Sequence, residues 1–83
     1  MVKFYIEDDL FEIYDVDEDE FKKELIQTKK IWNNDCKIKI EKDEVNGTIT
    51  KEWCFEWERL WVVVNDYKEL EELGLWQNTK DIG

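Results

Sequence analysis

The chain has 83 residues, a net charge of −10 and 41% charged residues, and it contains no His, Ser, Pro or Ala. Its length fits a single domain over residues 1–83, and its five Trp, four Phe and three Tyr residues can build a small core. Without His or Ser, Ser-His-Asp and Cys-His sites are excluded, and two Cys are too few for a zinc site. We therefore predict that the protein is not an enzyme and has no catalytic residue, cofactor or metal ion.

The sequence also lacks an apolar run of about 18 residues, which a membrane-spanning helix needs. Its first residues turn acidic after Ile6, unlike a secretory signal peptide. We therefore expect a cytoplasmic protein that has no contact with a membrane.

The N-terminal segment has the two-residue period of a β-strand. Val2, Phe4 and Ile6 alternate with residues that belong to the opposite face. An acidic turn over 7–9 follows, and residues 10–14 are predicted to form the second strand of a hairpin.

The next segment carries the signals of a helix start. Asp17 can act as the N-cap, and Glu20 three residues later completes a capping box. Phe21 and Leu25 then share one helical face. The pattern predicts a helix over 18–32.

A second hairpin is predicted around the dipeptide Asn46-Gly47, the strongest short turn signal in the chain. The strand before it covers residues 36–44. If the dipeptide forms a two-residue turn, Ile38 lies opposite Phe55 and the cross-strand pairs of this face are all apolar.

A further tight turn at 58–59 predicts a third strand of this meander, in which Phe55 lies opposite Val62. Trp61 then points to the opposite face of the sheet, near Glu56. A longer, irregular loop is the alternative, because the turn contains no Gly. The core is predicted to contain three aromatic residues of this segment: Trp53, Phe55 and Trp57.

The last predicted element is a short helix over 67–73. Asp66 and Glu69 form a second capping box, and Gly74 is placed to end the helix. The predicted fold class is thus α+β, a small single domain with the order β-β-α-β-β-β-α. Its antiparallel sheet packs on one main helix, and a short C-terminal helix completes the domain.

The charge is distributed unevenly along the chain. Residues 1–20 contain nine acidic residues and one lysine, which gives this segment a net charge of −8. An anionic surface of this kind repels nucleic acid and attracts the basic proteins that bind it. The alternative is that the charge serves solubility alone.

In size and charge the chain resembles phage-encoded acidic inhibitors, including DNA mimics that block restriction or CRISPR nucleases. It is also similar to the acidic immunity proteins that neutralise bacterial nuclease toxins. The resemblance implies an anti-CRISPR or anti-restriction inhibitor whose partner is a basic nucleic-acid-binding protein or nuclease. We expect no direct binding to nucleic acid, because a pI of about 4.4 opposes the attraction to phosphates that dominates such affinity. An immunity protein and a structural module without an inhibitory role are the alternatives.

We predict that carboxylates take the place of phosphates in the partner's groove and that a tryptophan adds a hydrophobic contact. The predicted partner-binding residues are Glu7, Asp8, Asp9, Glu12, Asp15, Asp19, Glu52, Glu56 and Trp61.

Overall fold

The domain is built on a five-stranded antiparallel sheet, and the computed structural model describes residues 2–32 and 35–76 of the chain. The elements are β1 (Lys3–Glu7), β2 (Ile13–Val16), α1 (Glu18–Trp32), β3 (Lys37–Asp43), β4 (Thr48–Cys54), β5 (Arg59–Val64) and α2 (Tyr67–Glu72). Across the sheet the strands follow the order β2-β1-β5-β4-β3, so β2 and β3 form its two edges. This architecture confirms the predicted α+β fold and its element order.

The core lies on the face of the sheet that packs against the helices, here called the inner face. Every second residue of β4 and β5 is buried, as expected for strands with one covered face. The ring of Phe21 on α1 lies 5.1 Å from that of Phe4 and 5.8 Å from that of Trp53. Leu70 of α2 belongs to the same cluster. The alternate residues of these strands form the outer face, which is partly exposed.

The first helix begins where the capping pattern places it. The backbone N–H of Glu20 donates to Asp17 Oδ1 at 2.8 Å, and that of Phe21 donates to the Asp17 carbonyl at 3.0 Å. The helix confirms the prediction over 18–32, and it buries Phe21 and Leu25. Acidic residues in its first turn and lysines in its last turn suit the helix dipole.

We expect Asp17→Ala to lower the free energy of unfolding by about 0.5–2 kcal/mol, because the Glu20 amide loses its acceptor. Asp19→Ala is the matched control, since it removes the same charge from the same helical turn and leaves the cap in place. Urea denaturation of both variants measures the difference. Equal stability of the two variants would mean that Asp17 does not cap the helix.

The hairpin between β3 and β4 has a different register from the one the sequence predicts. Ile38 lies opposite Trp53, not opposite Phe55, so the predicted pairing is wrong by two residues. Asp43 is the last paired residue before the loop and lies opposite Thr48, which leaves a four-residue loop. Because the offset is even, the same side chains still point to the inner face.

Asp43 explains why the loop is longer than two residues. Its carboxylate accepts hydrogen bonds from the backbone N–H groups of Val45 and Asn46 at 3.0 and 3.1 Å, and from the Asn46 side chain at 2.8 Å. These bonds, those from Asn46 above all, lower the pKa of Asp43. Gly47 closes the loop in the left-handed region, with a φ of 68° and a bond to the Asp43 carbonyl. An Asp-centred turn thus replaces the predicted two-residue turn.

The loop between β4 and β5 is also longer than the predicted tight turn, as the alternative allowed. Trp53 lies opposite Leu60, and the backbone N–H of Phe55 donates to the Glu58 carbonyl at 2.8 Å. The predicted pairing of Phe55 with Val62 is therefore wrong by four residues. The even offset again leaves the two faces unchanged.

The sequence predicts the position of Trp61 on the correct face of the sheet, but its prediction for Trp57 is wrong. Trp57 is 57% exposed, so its assignment to the core is wrong, because β4 ends at Cys54 and the loop turns Trp57 outward. Trp61 lies on the outer face, as predicted. Its cross-strand neighbour in β4 is Glu52, however, and not Glu56.

The second strand starts three residues later than predicted. β2 begins at Ile13, which pairs with Glu7 of β1. Residues 8–12 form the loop of this hairpin. Leu10 and Phe11, which the sequence assigned to the strand, are exposed in that loop.

The second helix confirms both of its predicted end signals. The backbone N–H of Glu69 donates to Asp66 Oδ1 at 3.0 Å, and Gly74 follows the helix with a φ of 74°. The backbone N–H of Leu75 then donates to the Leu70 carbonyl at 2.9 Å, which completes a Schellman-type ending. Neither of the two helices in the described part of the chain is long and apolar enough to cross a membrane.

Candidate protein-binding surface

Two loops meet at one end of the sheet and bring acidic and aromatic side chains together. The β1–β2 loop and the β4–β5 loop are neighbours because Glu7, at the end of β1, pairs with Arg59, at the start of β5. We call this region, residues 7–12 and 55–59, the acidic loop end. A cleft of about 190 Å³ lies there. Acidic and aromatic residues of both loops line it, among them Asp8, Asp9, Phe11, Glu56, Trp57 and Glu58.

Asp8 organises the β1–β2 loop. Its Oδ1 accepts hydrogen bonds from the backbone N–H groups of Leu10 and Glu12, at 2.9 and 3.0 Å. Its Oδ2 accepts one from the hydroxyl of Tyr14 at 3.1 Å. These bonds, that from the Glu12 backbone above all, hold the pKa of Asp8 below its usual value. Asp8 therefore fixes the conformation of the β1–β2 loop, and this conformation positions the other residues of the loop.

This loop holds Phe11 in a backbone conformation that residues with a side chain rarely adopt. Its φ is 63°, in the left-handed region, which costs about 1–2 kcal/mol for a residue with a Cβ atom. The Phe11 side chain is 80% exposed, so burial of the ring does not offset that cost. The fold thus exposes an aromatic ring to solvent at the expense of stability. Backbone strain of this kind clusters at functional sites.

Two further apolar side chains are exposed at the acidic loop end. Leu10 is 71% exposed next to Phe11, and Trp57 is exposed on the other loop. Exposed apolar groups that are rimmed by polar residues mark protein-binding surfaces, and Trp is enriched among the residues that dominate binding energy. Leu10, Phe11 and Trp57, with the carboxylates around them, are therefore a candidate for such a surface.

Arg59 neutralises two of the predicted partner-binding acids. Its Nε lies 2.6 Å from Glu7 Oε1, and its Nη1 lies 2.8 Å from Glu52 Oε2. The guanidinium also lies 5.2 Å from the ring of Trp61, and Trp61 stacks on Tyr5 at 5.4 Å. These contacts engage Glu7, Glu52 and Trp61 within the outer face, so they are less available to a partner than the loop residues.

The remaining predicted acids follow the edge of the sheet beside the acidic loop end. Asp15 lies within the edge strand β2, which follows Glu12 of the acidic loop end, and it is opposite Tyr5 of β1. Asp19 lies in the first turn of α1, which follows the strand. These acids continue the negative charge of the acidic loop end along one edge of the domain.

The carboxyl groups of Glu58, in the β4–β5 loop, and Glu24, on α1, lie next to the same threonine. Thr28 Oγ1, which is buried on α1, lies 3.2 Å from Glu58 Oε1 and 3.5 Å from Glu24 Oε2. Burial, followed by the hydrogen bond and the negative charge of Glu24, raises the pKa of Glu58 to about 7. The negative charge of Asp8 contributes in the same direction. The carboxyl pair therefore retains a proton at mildly acidic pH.

The structure brings most, but not all, of the predicted partner-binding residues together. Five lie at the acidic loop end: Glu7, Asp8, Asp9, Glu12 and Glu56. Asp15 and Asp19 lie along the adjoining edge, and Glu52 and Trp61 lie in the middle of the outer face.

Sequence reasoning missed the apolar residues of the site. For Leu10 and Phe11 a signal exists, because two apolar residues directly follow the acidic turn over 7–9. The alternation of Trp57 with Trp53 pointed to the core instead. Both errors come from extending a strand pattern into a loop.

Comparison with known proteins provides no related protein from which the role of this site could be inferred. No family model matches the chain, and neither a curated protein nor a solved structure matches it. In the part of the chain that the structure describes, no group of three or more His, Cys, Asp or Glu residues is arranged to hold a metal ion. The function is therefore inferred from the geometry of the acidic loop end.

Proposed function

We propose that this protein is a small acidic inhibitor that binds a basic nucleic-acid-handling protein through the acidic loop end. The target class is a nuclease of the CRISPR or restriction type, whose groove is built to bind phosphates. The carboxylates of the acidic loop end and of the adjoining edge take the place of those phosphates. In this proposal the inhibitor acts in the cytoplasm and does not itself bind nucleic acid.

The observation that supports this proposal most strongly is the exposure of the Phe11 ring in a strained backbone conformation. A ring that is held in a strained backbone conformation and exposed among carboxylates contributes little to packing. As the anchor of an interface it has a role, because a few aromatic residues in partner pockets supply most of the binding energy of many complexes. Trp57 on the facing loop is the second anchor of the proposed interface.

The charge distribution supports a basic partner. Residues 1–20 carry a net charge of −8, and the acids among them lie at the acidic loop end, in β2 and at the start of α1. Negative charge of this density steers association with a basic groove. Because surface charges are screened beyond about 8 Å at physiological ionic strength, the association rate should fall as salt rises.

Neutralising exposed acids of this surface tests the charge component. The quadruple variant Asp9→Asn, Asp15→Asn, Asp19→Asn and Glu56→Gln spares the loop acid Asp8 and the cap Asp17. We expect its association with the partner to be slower by about tenfold or more, because complementary charge acts mainly on the association rate. Surface plasmon resonance at low and high salt measures the rates, with a partner identified by affinity capture.

A second quadruple variant has the same net charge but keeps the proposed surface intact. It is Glu41→Gln, Glu44→Gln, Glu71→Gln and Glu72→Gln, on β3, the following loop and α2. We expect it to bind nearly as fast as the parent chain. If both quadruple variants slow association equally, only net charge matters and the acidic loop end is not the binding surface.

A further inference from the structure

The sheet ends on one side in β3, a strand that is exposed along its length. Among the described residues β3 pairs with β4 alone, so the backbone groups on its other side face no partner strand. Six of its seven residues are exposed, and the seventh, Ile40, is partly buried. An exposed edge strand of this length is a template for pairing with a further strand.

A row of alternating charges crosses the outer face of the sheet and stops at this edge. The Arg59 guanidinium lies 2.6 Å from the carboxylate of Glu7 and 2.8 Å from that of Glu52. Lys39 of β3 lies directly opposite Glu52 of β4. The row therefore ends on a lysine at the free edge, and an acidic residue on an added strand would continue it.

β3 itself contains an acidic residue at the required position. If two copies of β3 pair antiparallel about a two-fold axis at Ile40, Lys39 of each copy lies opposite Glu41 of the other. Neither residue belongs to an ion pair within the described part of the chain. Opposite charges that face each other across two strands stabilise the strand pair.

The ends of the strand are complementary in the same register. Lys37 of each copy lies opposite Asp43 of the other. The Lys39–Glu41 pairs contribute more, because the Asp43 carboxylate already accepts hydrogen bonds within its own loop.

Other two-fold registers of β3 bring like charges together. An axis at Lys39 places that lysine opposite itself, and an axis at Glu41 does the same for the glutamate. An axis one residue further towards either end places Lys37 opposite Lys39, or Glu41 opposite Asp43. The axis at Ile40 opposes no like charges, and it sets the two Ile40 side chains against each other.

The charge of the chain is distributed so that the β3 edge is less acidic than the other side of the sheet. β3 contains three lysines and two acidic residues. The acidic segment 1–20 contains β2, which forms the opposite edge. Copies that meet at β3 therefore keep their acidic β2 edges at the two far ends of the joined sheet.

We infer that two copies of this chain associate through β3, in an antiparallel pair centred on Ile40 that joins their sheets into one. The inference does not depend on the proposed inhibitor function, since β3 contributes no residue to the acidic loop end. Because a single strand pair makes a small interface, we expect a dissociation constant of about 10–100 µM.

Sedimentation equilibrium of the full chain between about 10 µM and 1 mM tests the association. We expect the mass to rise with concentration from the 10.2 kDa of one chain and to level off at twice that value. Hydrogen exchange should slow at the β3 amides and stay unchanged at those of β2. A constant monomer mass would overturn the inference, and so would growth beyond two chains, which head-to-tail pairing of β3 with β2 would produce.

A charge reversal within β3 tests the register. Glu41→Lys places a lysine opposite Lys39 of the second copy, and we expect the dissociation constant to rise by about tenfold or more. Glu71→Lys makes the same charge change at an exposed residue of α2 and is the matched control. Both substitutions make the chain less acidic, so we expect the control to associate at least as tightly as the parent. Equal weakening in both variants would contradict the register.

Mixing two variants tests the same pairs without relying on a loss. Lys39→Glu also opposes like charges in its own dimer, whereas a mixed pair with Glu41→Lys opposes lysine to glutamate at both positions. We expect the mixture to form a heterodimer about tenfold or more tighter than either variant alone forms its own dimer. Circular dichroism confirms that each variant is folded. A mixture that associates no better than its separate components would overturn the inference.

Discussion

Phe11→Gly is expected to stabilise the domain while it weakens binding to the partner. Glycine adopts a φ of 63° without the steric cost of about 1–2 kcal/mol that a Cβ atom causes. The greater conformational freedom of glycine in the unfolded chain opposes this gain by about 0.5–1 kcal/mol. The difference is a net gain of up to about 1.5 kcal/mol, which corresponds to a rise of up to about 12 °C in melting temperature for a domain of this size.

The same substitution removes the proposed anchor and changes no charge. We expect the dissociation constant of the complex to rise by about thirtyfold or more, since truncating a dominant interface residue costs about 2 kcal/mol or more. Thermal denaturation and surface plasmon resonance on the same preparation measure the two effects. A variant that is stabilised and binds as tightly as the parent would show that Phe11 is strained for some reason other than binding.

Leu10→Gly is the matched control for the backbone argument. Leu10 is also apolar and exposed in this loop, but Phe11 is the one non-glycine residue with a positive φ in the described part of the chain. Leu10→Gly therefore relieves no strain, and we expect it to leave stability unchanged or to lower it. If it stabilises the domain as much as Phe11→Gly does, strain at Phe11 is not the cause.

The second large effect is expected at Glu58, and it depends on pH. Folding raises the pKa of Glu58 from 4.5 to about 7, so the folded protein keeps a proton that the unfolded chain releases between these values. The contribution of this group to stability is therefore complete below about pH 4.5 and is lost as the pH rises through about 7.

Glu58→Gln keeps the shape of the protonated acid and removes its titration. One pKa unit corresponds to about 1.4 kcal/mol, and partial solvent screening reduces the full effect. We expect the variant to be more stable than the parent by about 1–3 kcal/mol at about pH 8, and nearly equal to it at about pH 4.5. Urea denaturation across this pH range measures the difference.

Glu56→Gln makes the same change in the same loop, at an exposed residue. We expect its stability relative to the parent to change little between the two pH values. If Glu58→Gln behaves in the same way, or is stabilising only in acid, the carboxyl pair with Glu24 does not hold a shared proton.

The helices and the element order could be predicted because their signals are local. Asp17, Asp66 and Gly74 fix helix ends through hydrogen bonds to residues within a few positions, and the structure contains these bonds. Strand faces were also predictable, because an even change of register leaves them unchanged.

Strand register was not predictable from the turn dipeptide alone. The Asp43 carboxylate competes with the Asn46-Gly47 signal and sets a longer loop. The acidic residues of the site could be identified from the sequence, because their charge can be counted directly. The exposure of Phe11 could not be predicted, because it depends on the hydrogen bonds to Asp8 that form the β1–β2 loop, where the sequence pattern predicts a strand.

In the proposed function, the acidic loop end occupies a surface where the partner binds nucleic acid. The most direct test is competition, in which a duplex DNA or an RNA is added to the complex of the parent chain with its captured partner. We expect the nucleic acid to displace the inhibitor in a dose-dependent way, and the Phe11→Gly variant, with every charge intact, to be displaced at a lower concentration. A complex that forms equally well with and without nucleic acid, or that Phe11→Gly leaves unchanged, would contradict the proposed function.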